Sequence, residues 1–228
     1  MLAQVLESLM TSSADVSVYS TLRQRMVDEQ LRARGIVDER VLAAMSRVPR
    51  HEFAPAHYRD QGYEDHPLLL KEGQTISQPY IVALMLQALA LTLTDKVLEV
   101  GTGSGYVTGL LAELTADVVS IERHAVLADS AREMLAGMGF KNVRVLTGDG
   151  SRGFSESAPY DAIIVSAGAR ELPRELVEQL AEGGRMIIPV GHPDSQQLQL
   201  IHKRNGEVLI SPRELCRFVP LIPGDTRT

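Results

Sequence analysis

The chain has 228 residues, of which 44% are hydrophobic, and this is enough for one sizeable core, so a single domain is expected. Its formal net charge of −6 at pH 7, with no cluster of Lys and Arg, argues against nucleic acid as a partner. The lone Cys216 excludes an intramolecular disulfide and fits a reducing compartment.

The first twenty residues, MLAQVLESLMTSSADVSVYS, have neither the basic start nor the long apolar run of a secretory signal. We interpret residues 1–20 as an N-terminal extension made of a peripheral helix and a linker. The longest apolar-rich run, YIVALMLQALALTL, is interrupted by Gln87 and is shorter than the roughly 20 apolar residues that a membrane helix needs. We therefore predict a cytoplasmic protein without a membrane partner.

The segment from Thr21 to Met45 predicts two helices that are separated at Gly35, with Asp38 as the N-cap of the second helix. Two prolines in RVPRHEFAP then end helix formation.

Residues 56–76 look irregular, and a functional loop is expected there. Pro79 opens a helix that we expect over residues 79–92, because proline suits the first turn of a helix. Ser77 precedes this helix and is a candidate N-cap.

From residue 93 onward, short runs of Val, Ile and Leu alternate with helical patterns. The expected strands are KVLEV, DVVSIE, VRVLTGD, YDAIIVSAG and RMIIPVG, and the expected helices are GYVTGLLAELT, AVLADSAREMLAGMG and PRELVEQLAEGGR. The tail adds QLQLIHKR, EVLISPREL and RFVPLI as strands of a hairpin-like end. Near-continuous apolar strands are typical of a parallel sheet that is buried on both faces. The sequence thus predicts a doubly wound α/β fold with N-terminal helices, a mostly parallel sheet and a C-terminal antiparallel addition.

We divide the chain accordingly into the extension 1–20 and one domain, 21–228. Within that domain, residues 21–92 form a helical and loop segment, residues 93–193 the core, and residues 194–228 the C-terminal strands. Ligands of such sheets bind outside the carboxyl ends of the strands, so the residues that follow each strand are the candidate site.

The stretch VLEVGTGSGY passes from an apolar strand into Gly101, Gly103 and Gly105, which let the backbone turn sharply and approach a ligand. The dinucleotide fingerprint G-x-G-x-x-G would need glycine where this chain has Tyr106, and a phosphate-binding loop of the G-K-[ST] type would need a lysine that is missing here. Both nucleotide classes are therefore disfavoured.

Three acids lie at or near the ends of the first three predicted strands, and their charge favours a cationic ligand. Glu99 lies two residues before the glycine turn, where a carboxylate would repel a pyrophosphate. Glu122 stands about twenty residues on, where an acid commonly accepts hydrogen bonds from ribose hydroxyls, and Asp149 ends the third strand. S-adenosylmethionine carries a ribose, a sulfonium and no phosphate, and it fits this set of acids.

The sequence resembles the protein-L-isoaspartate O-methyltransferases, within the class I methyltransferase fold. The match runs in order through MVDEQLRARGI, VPRHEF, GQTISQPYIVA, VLEVGTGSGY, SIER, GDG, APYDAIIVSAG, QLAEGGRMIIPVG and RFVPL, and it covers residues 26–221. GQTISQPY is its most specific element. The resemblance implies an S-adenosylmethionine-dependent enzyme that methylates the free α-carboxylate of L-isoaspartyl residues in damaged proteins.

The resemblance also implies roles for individual residues. Ser77 corresponds to the family's active-site serine, and the substrate-binding set is Asp65, Thr75, Ile76 and Ser77. The cofactor-binding set is Glu99, Gly101, Thr102, Gly103, Ser104, Gly105, Glu122, Arg123, Asp149 and Gly150. No metal is expected, and the oligomeric state stays open with a monomer preferred.

The chain departs from the family pattern at two places. The run before QTIS reads Leu68 to Gly73, LLLKEG, where the family has a proline, an isoleucine and glycines, and Gly168 replaces a common alanine in a way that could loosen the cleft. A methyltransferase of the same fold with a changed substrate therefore stays an alternative, as does a non-catalytic module that binds S-adenosylmethionine. An NAD-dependent oxidoreductase is disfavoured by Tyr106 and Glu99.

Overall fold

The computed structural model describes residues 18–224, and the predictions for residues 1–17 lie outside this range. The helices in chain order are α1 (18–25), α2 (Glu39–Arg47), α3 (Pro79–Leu89), α4 (Tyr106–Leu114), α5 (Ala125–Gly137) and α6 (Arg174–Glu178). A π-helical turn, Met26–Leu31, prolongs α1. Short 3₁₀ turns occupy Arg32–Arg34, Arg50–Phe53, Ala56–Gln61, Lys71–Gly73, Gly150–Arg152 and Ser155–Ser157.

The described strands form one large sheet and one small hairpin. They are β1 (Leu68–Leu69), β2 (Thr75–Ile76), β3 (Lys96–Val100), β4 (Asp117–Glu122), β5 (Val143–Thr147), β6 (Tyr160–Val165), β7 (Leu180–His192), β8 (Ser195–Arg204) and β9 (Glu207–Cys216). The large sheet has the order β5-β4-β3-β6-β7-β8-β9. β3 to β7 pair in parallel, and β8 and β9 are antiparallel. The predicted mostly parallel sheet with a C-terminal antiparallel addition is confirmed.

Alternation along β3 shows how the sheet is buried on both faces. Val97 belongs to the core cluster that includes residues of α2 to α5, whereas Leu98 and Val100 belong to a second cluster with Leu176 of α6. The chain leaves β3 to the β4 side and later returns to its other side as β6, so the strand order switches direction there. In doubly wound sheets the ligand binds at this switch, outside the carboxyl ends of the strands.

The N-terminal helices are arranged as the sequence predicts. Gly35 adopts φ +92°, which favours glycine, and it ends the first helical segment. The side chain of Asp38 accepts hydrogen bonds from the amides of Arg40 and Val41, so Asp38 is the N-cap of α2. Within residues 18–224, every helix is too short or too polar to span a membrane.

Two predicted helix ends and one predicted strand are wrong. The helix α3 ends at Leu89 and not at residue 92, with Ala90 in the left-handed region at φ 45°. The predicted helix PRELVEQLAEGGR is helical only over Arg174–Glu178, because Leu180 already pairs with Tyr160 in the sheet. The predicted strand RFVPLI forms only an isolated bridge, in which Pro220 lies beside Gly168.

Candidate active site

A cleft opens at the carboxyl ends of the central strands and encloses about 730 Å³, including open solvent at its mouth. Its walls come from the segment after β1, the turns after β3, β4, β5 and β6, and the C-terminal tail. The lining residues are Gln74, Thr75, Ile76, Ser77, Val100, Gly101, Thr102, Gly103, Ser104, Tyr106, Val107, Ile121, Glu122, Arg123, Gly150, Ser166, Ala167, Val219, Pro220, Leu221 and Ile222.

The glycine turn is fixed by its neighbours in the sheet. The amide of Gly101 donates to the carbonyl oxygen of Ile121 at 2.8 Å, and the amide of Gly103 donates to the Oε2 atom of Glu122 at 2.9 Å. Gly105 has φ +89°, and a Cβ atom there would lie 3.3 Å from the Cβ of Ala131 on α5. Glycine at this position therefore allows both the backbone turn and the close packing of α5.

Glu122 is a held carboxylate at the wall of the cleft. It is only 4% exposed, and besides Gly103 it accepts a hydrogen bond from the amide of His124, at 2.9 Å through Oε1. A carboxylate offers about four acceptor positions, so two remain after these bonds. The side chain is therefore oriented and still able to accept from the two hydroxyls of a ribose.

Glu99 lies beneath the glycine turn and does not line the cleft. Its Oε2 atom accepts hydrogen bonds from the hydroxyls of Thr108 at 2.5 Å and Ser120 at 2.6 Å, and its buried Oε1 atom has no partner. Burial, helped by the charge of Glu122 and opposed by the two hydroxyl bonds, raises the pKa of Glu99 to about 8. The Ser120 hydroxyl donates its hydrogen bond to Glu99, so the Thr102 hydroxyl is the donor to Ser120. This chain of hydroxyls connects Glu99 to the cleft wall, because Thr102 lines the cleft.

Asp149 also does not line the cleft, although the adjacent Gly150 does. Its carboxylate accepts hydrogen bonds from the amide and hydroxyl of Ser151 and, at 2.8 Å, from the amide of Gly224. Burial alone would raise the pKa of Asp149, but these hydrogen bonds and the nearby Arg152 outweigh burial and lower that pKa. Asp149 therefore fastens the C-terminal tail to the end of β5.

The tail forms the wall of the cleft that sequence reasoning assigned to no site. The amide of Gly168 donates to the carbonyl of Val219, and the amide of Leu221 donates back to the carbonyl of Gly168, both at 2.8 Å. Arg123 adds a bond from Nη1 to the carbonyl of Ile222 at 2.8 Å. The motif RFVPL, which contributed to the resemblance, was the available signal for this wall.

Gly168 does not leave loose space in the cleft. A Cβ atom at this position would lie 2.6 Å from Nε2 of Gln196. Gln196 fills that space and holds the backbone of Phe218, because its Oε1 atom accepts from the Phe218 amide at 2.7 Å. The prediction of a loosened cleft is therefore wrong.

The segment Thr75 to Ser77, which contains β2, lies opposite the glycine turn in the cleft. Thr75, Ile76 and Ser77 line the cleft, and β1 pairs with β2 so that Leu68 lies opposite Ile76. The N-cap residue of α3 is Gln78, so Ser77 precedes the helix and is not its cap.

Asp65 lies behind this segment and is not among the lining residues. Its Oδ1 atom accepts a hydrogen bond from the Tyr80 amide in the first turn of α3 at 3.2 Å, and its Oδ2 atom pairs with Arg34. The Asp65 carboxylate thus provides a hydrogen-bond acceptor for an amide at the N-terminus of α3, although the two residues are distant in the chain.

The atypical run Leu68 to Gly73 closes the hairpin over the glycine turn. Leu70 packs against the core, and its Cδ1 atom would lie 3.7 Å from a Cβ atom at Gly103. Leu69 is exposed, and Glu72 lies 3.8 Å from Nδ1 of His124. This run therefore supports the glycine turn from outside the cleft rather than lining it.

Comparison with known proteins identifies the family. A family model for protein-L-isoaspartate(D-aspartate) O-methyltransferase matches residues 22–226. The protein-L-isoaspartate O-methyltransferase of Koribacter versatilis is 53% identical over 213 residues, which cover 93% of this chain and 96% of that protein. The chain belongs to this family. The methyltransferase of the same name from Methanoculleus marisnigri is 53% identical over 200 residues, covering 88% of this chain and 91% of that protein.

A solved structure shares the fold and shows a relative with a ligand. It is a protein-L-isoaspartate O-methyltransferase from Plasmodium falciparum in complex with S-adenosyl-L-homocysteine, with a TM-score of 0.77 at 30% identity, covering 88% of this chain and 98% of that chain. The predicted class I methyltransferase fold and the predicted family are thereby confirmed. The chain is an S-adenosylmethionine-dependent O-methyltransferase.

The methyltransferase cleft suits this cofactor. It combines a turn of three glycines with positive φ angles, the oriented Glu122 carboxylate and a lining without lysine. Of the predicted cofactor-binding residues, Gly101, Thr102, Gly103, Ser104, Glu122, Arg123 and Gly150 line the cleft, whereas Glu99, Gly105 and Asp149 lie behind it. In residues 18–224 no three His, Cys, Asp or Glu side chains are grouped so that they could hold a metal ion.

Proposed function

We propose that this chain transfers the methyl group of S-adenosyl-L-methionine to the free α-carboxylate of L-isoaspartyl residues in damaged proteins and peptides. The observation that carries the proposal is that Ser77 and its neighbours lie in the same cleft as the glycine turn and Glu122. A donor held on one wall can then meet an acceptor held on the other. S-adenosylmethionine supplies an electrophilic methyl group on a sulfonium.

On the cofactor side, Glu122 would accept from the ribose hydroxyls, and the backbone of Gly101 to Gly103 would lie against the methionine portion. Thr102 would connect the bound cofactor to Glu99 by hydrogen bonds through Ser120. Gly105 and Asp149 would act indirectly, by allowing α5 to pack and by holding the tail.

On the substrate side, Ser77 would donate its hydroxyl to the isoaspartyl carboxylate, and Thr75 and Ile76 would place the peptide beside it. α3 begins two residues after Ser77, and the dipole at its N-terminus favours an anion nearby. Asp65 would position this helix terminus and not contact the peptide, because its carboxylate is already bound by Arg34 and the Tyr80 amide.

The chemistry makes few demands on the side chains. A carboxylate with a pKa near 4 is ionised at neutral pH, so the chain needs no general base to activate the acceptor. Holding the reacting groups in line is worth up to roughly 7 to 11 kcal/mol. Ser77 is therefore a binding and orienting residue in this proposal and not a nucleophile.

Damaged proteins are the partners in this proposal, and nucleic acid and membranes have no part in it. A cytoplasmic location and a monomeric state stay predictions from the sequence.

The test is transfer of labelled methyl from S-adenosylmethionine to two peptides that differ only in an isoaspartyl or an aspartyl residue. We expect base-labile label on the isoaspartyl peptide alone. Ser77→Ala should raise KM for the peptide about tenfold and leave S-adenosylhomocysteine affinity unchanged, since loss of one hydrogen bond to a charged group costs about 1.5 kcal/mol. Ser46→Ala, a change on α2 outside the cleft lining, is the matched control. Unchanged peptide kinetics in Ser77→Ala would contradict the assigned role.

A further inference from the structure

Arg50 is a fully buried arginine that has no role in the proposed mechanism. It comes from the motif VPRHEF and has an exposure of 0%. Burial lowers its pKa, but arginine stays protonated in proteins at any ordinary pH. A permanent positive charge is therefore present in the core.

Backbone carbonyls, and not carboxylates, surround this guanidinium. Nη1 donates to the carbonyl of Gly62, and Nη2 donates to the carbonyls of His66 at 3.4 Å and Ser77 at 3.1 Å. No carboxylate of residues 18–224 forms an ion pair with Arg50, and its Nε atom is buried without a partner. Asp65 is the acid whose charge reaches Arg50, but Arg34 already pairs with that acid.

The charge lies directly behind the substrate side of the cleft. Ser77, whose carbonyl Arg50 binds, lines the cleft, and so does Tyr106, whose ring centre is 5.8 Å from the Arg50 guanidinium carbon. The Tyr106 hydroxyl is buried without a partner, and burial raises its pKa, so it stays neutral and does not offset the charge. Ser77 and Tyr106 thus lie between the positive charge of Arg50 and the cleft.

We propose that Arg50 is a positioning and specificity-determining residue, which holds the Ser77 backbone and whose unneutralised charge makes the substrate side of the cleft selective for a carboxylate. This inference rests on the proposed function, because it assumes that the isoaspartyl carboxylate binds beside Ser77. An anion about 8 Å away at an effective dielectric constant of about 20 would be favoured roughly thirtyfold over a neutral group of the same shape.

The experiment compares two peptides that are identical except that one has the free α-carboxylate of isoaspartate and the other has an α-carboxamide. Both displace a fluorescent isoaspartyl peptide from the protein with S-adenosylhomocysteine present. We expect the wild-type protein to prefer the carboxylate peptide at least tenfold. In Arg50→Gln, which keeps a donor but loses the charge, the preference should fall at least tenfold while affinity for the carboxamide peptide changes less than threefold.

Two further variants separate charge from scaffolding. Arg50→Lys keeps the charge and loses the forked contacts, so it should keep the preference within about threefold but lower kcat. Arg185→Gln is the matched control, because Arg185 also clamps backbone carbonyls but pairs with Asp95 near the start of β3. It should lower the thermal midpoint and leave the preference unchanged.

Equal loss of affinity for both peptides in Arg50→Gln would reduce Arg50 to a scaffold and overturn the inference. If Arg50→Gln does not fold, folded Arg50→Lys decides, since loss of the carboxylate preference there would exclude a charge effect. Wild-type protein that prefers neither peptide would contradict the proposed function itself, which is a separate failure.

Discussion

Glu99 should make the stability of this methyltransferase depend on pH in an unusual direction. The side chain is fully buried, and its pKa is raised from the ordinary value of 4.5 to about 8. Between those pH values the folded protein keeps a proton on Glu99 that the unfolded chain releases. The folded state then binds more protons, so the free energy of unfolding falls as pH rises through this window.

The magnitude follows from the two pKa values. At about 1.4 kcal/mol per pH unit, the interval from 4.5 to about 8 corresponds to about 5 kcal/mol, fully present below pH 4.5 and lost by the time pH has passed about 8. Glu99→Gln should abolish this dependence. Its amide oxygen can still accept from Thr108 and Ser120, and its NH₂ group replaces the oxygen that has no partner.

The assay is urea unfolding of the wild-type protein and Glu99→Gln at pH 5, 6, 7 and 8. The variant should gain about 3.5 kcal/mol on the wild-type protein between pH 5 and 8, with the steepest change, about 1.3 kcal/mol per pH unit, between pH 6 and 7. Glu133→Gln, on the exposed face of α5, is the matched control and should show no such gain. A difference between wild-type and Glu99→Gln that does not change with pH would refute the reasoning.

Three further changes test the surroundings of the cleft. Gly168→Ala should lower the free energy of unfolding by about 1 to 3 kcal/mol in urea titrations, because the new methyl group displaces Gln196, and the loss should shrink in a Gln196→Ala background. Asp65→Ala should cost about 1 to 2 kcal/mol of stability, through the lost bond to the Tyr80 amide, without weakening S-adenosylhomocysteine. Glu122→Gln should weaken S-adenosylhomocysteine about tenfold by calorimetry, which is about 1.4 kcal/mol, and unchanged affinity would argue against its contact with the ribose.

Local patterns in the sequence predict much of the fold. The strands β3, β4 and β6 are buried on both faces, and their runs of Val, Ile and Leu predicted them. The capping Asp38 and the helix-ending Gly35 act through neighbours in the chain. These features depend on interactions within a few residues, and sequence patterns report such interactions directly.

Boundaries that depend on partners far along the chain were missed. Leu180 continues a convincing helical pattern, but its pairing with Tyr160 places it in β7. Similarly, the segment around Pro220 reads as a strand, but its backbone bonds reach Gly168 across the cleft end of the sheet. No local signal specifies these pairings.

The acids of the candidate site show the same division. Three acids near strand ends indicated a cationic ligand, but only Glu122 lines the cleft. Glu99 lies opposite Ser120 in the parallel register and points toward α4, and Asp149 is used by Ser151 and the tail. The direction of a side chain at a strand end depends on the register between strands and on contacts with the C-terminal tail. Composition and residue spacing do not predict either of these.

The most direct test of the proposed activity uses one peptide that contains both an isoaspartyl and an aspartyl residue. After incubation with the protein and S-adenosylmethionine, mass spectrometry locates the methyl ester. We expect the ester on the isoaspartyl α-carboxylate alone. An ester on the aspartyl residue, or no ester while S-adenosylhomocysteine still binds, would contradict the proposal that this cleft repairs isoaspartyl damage.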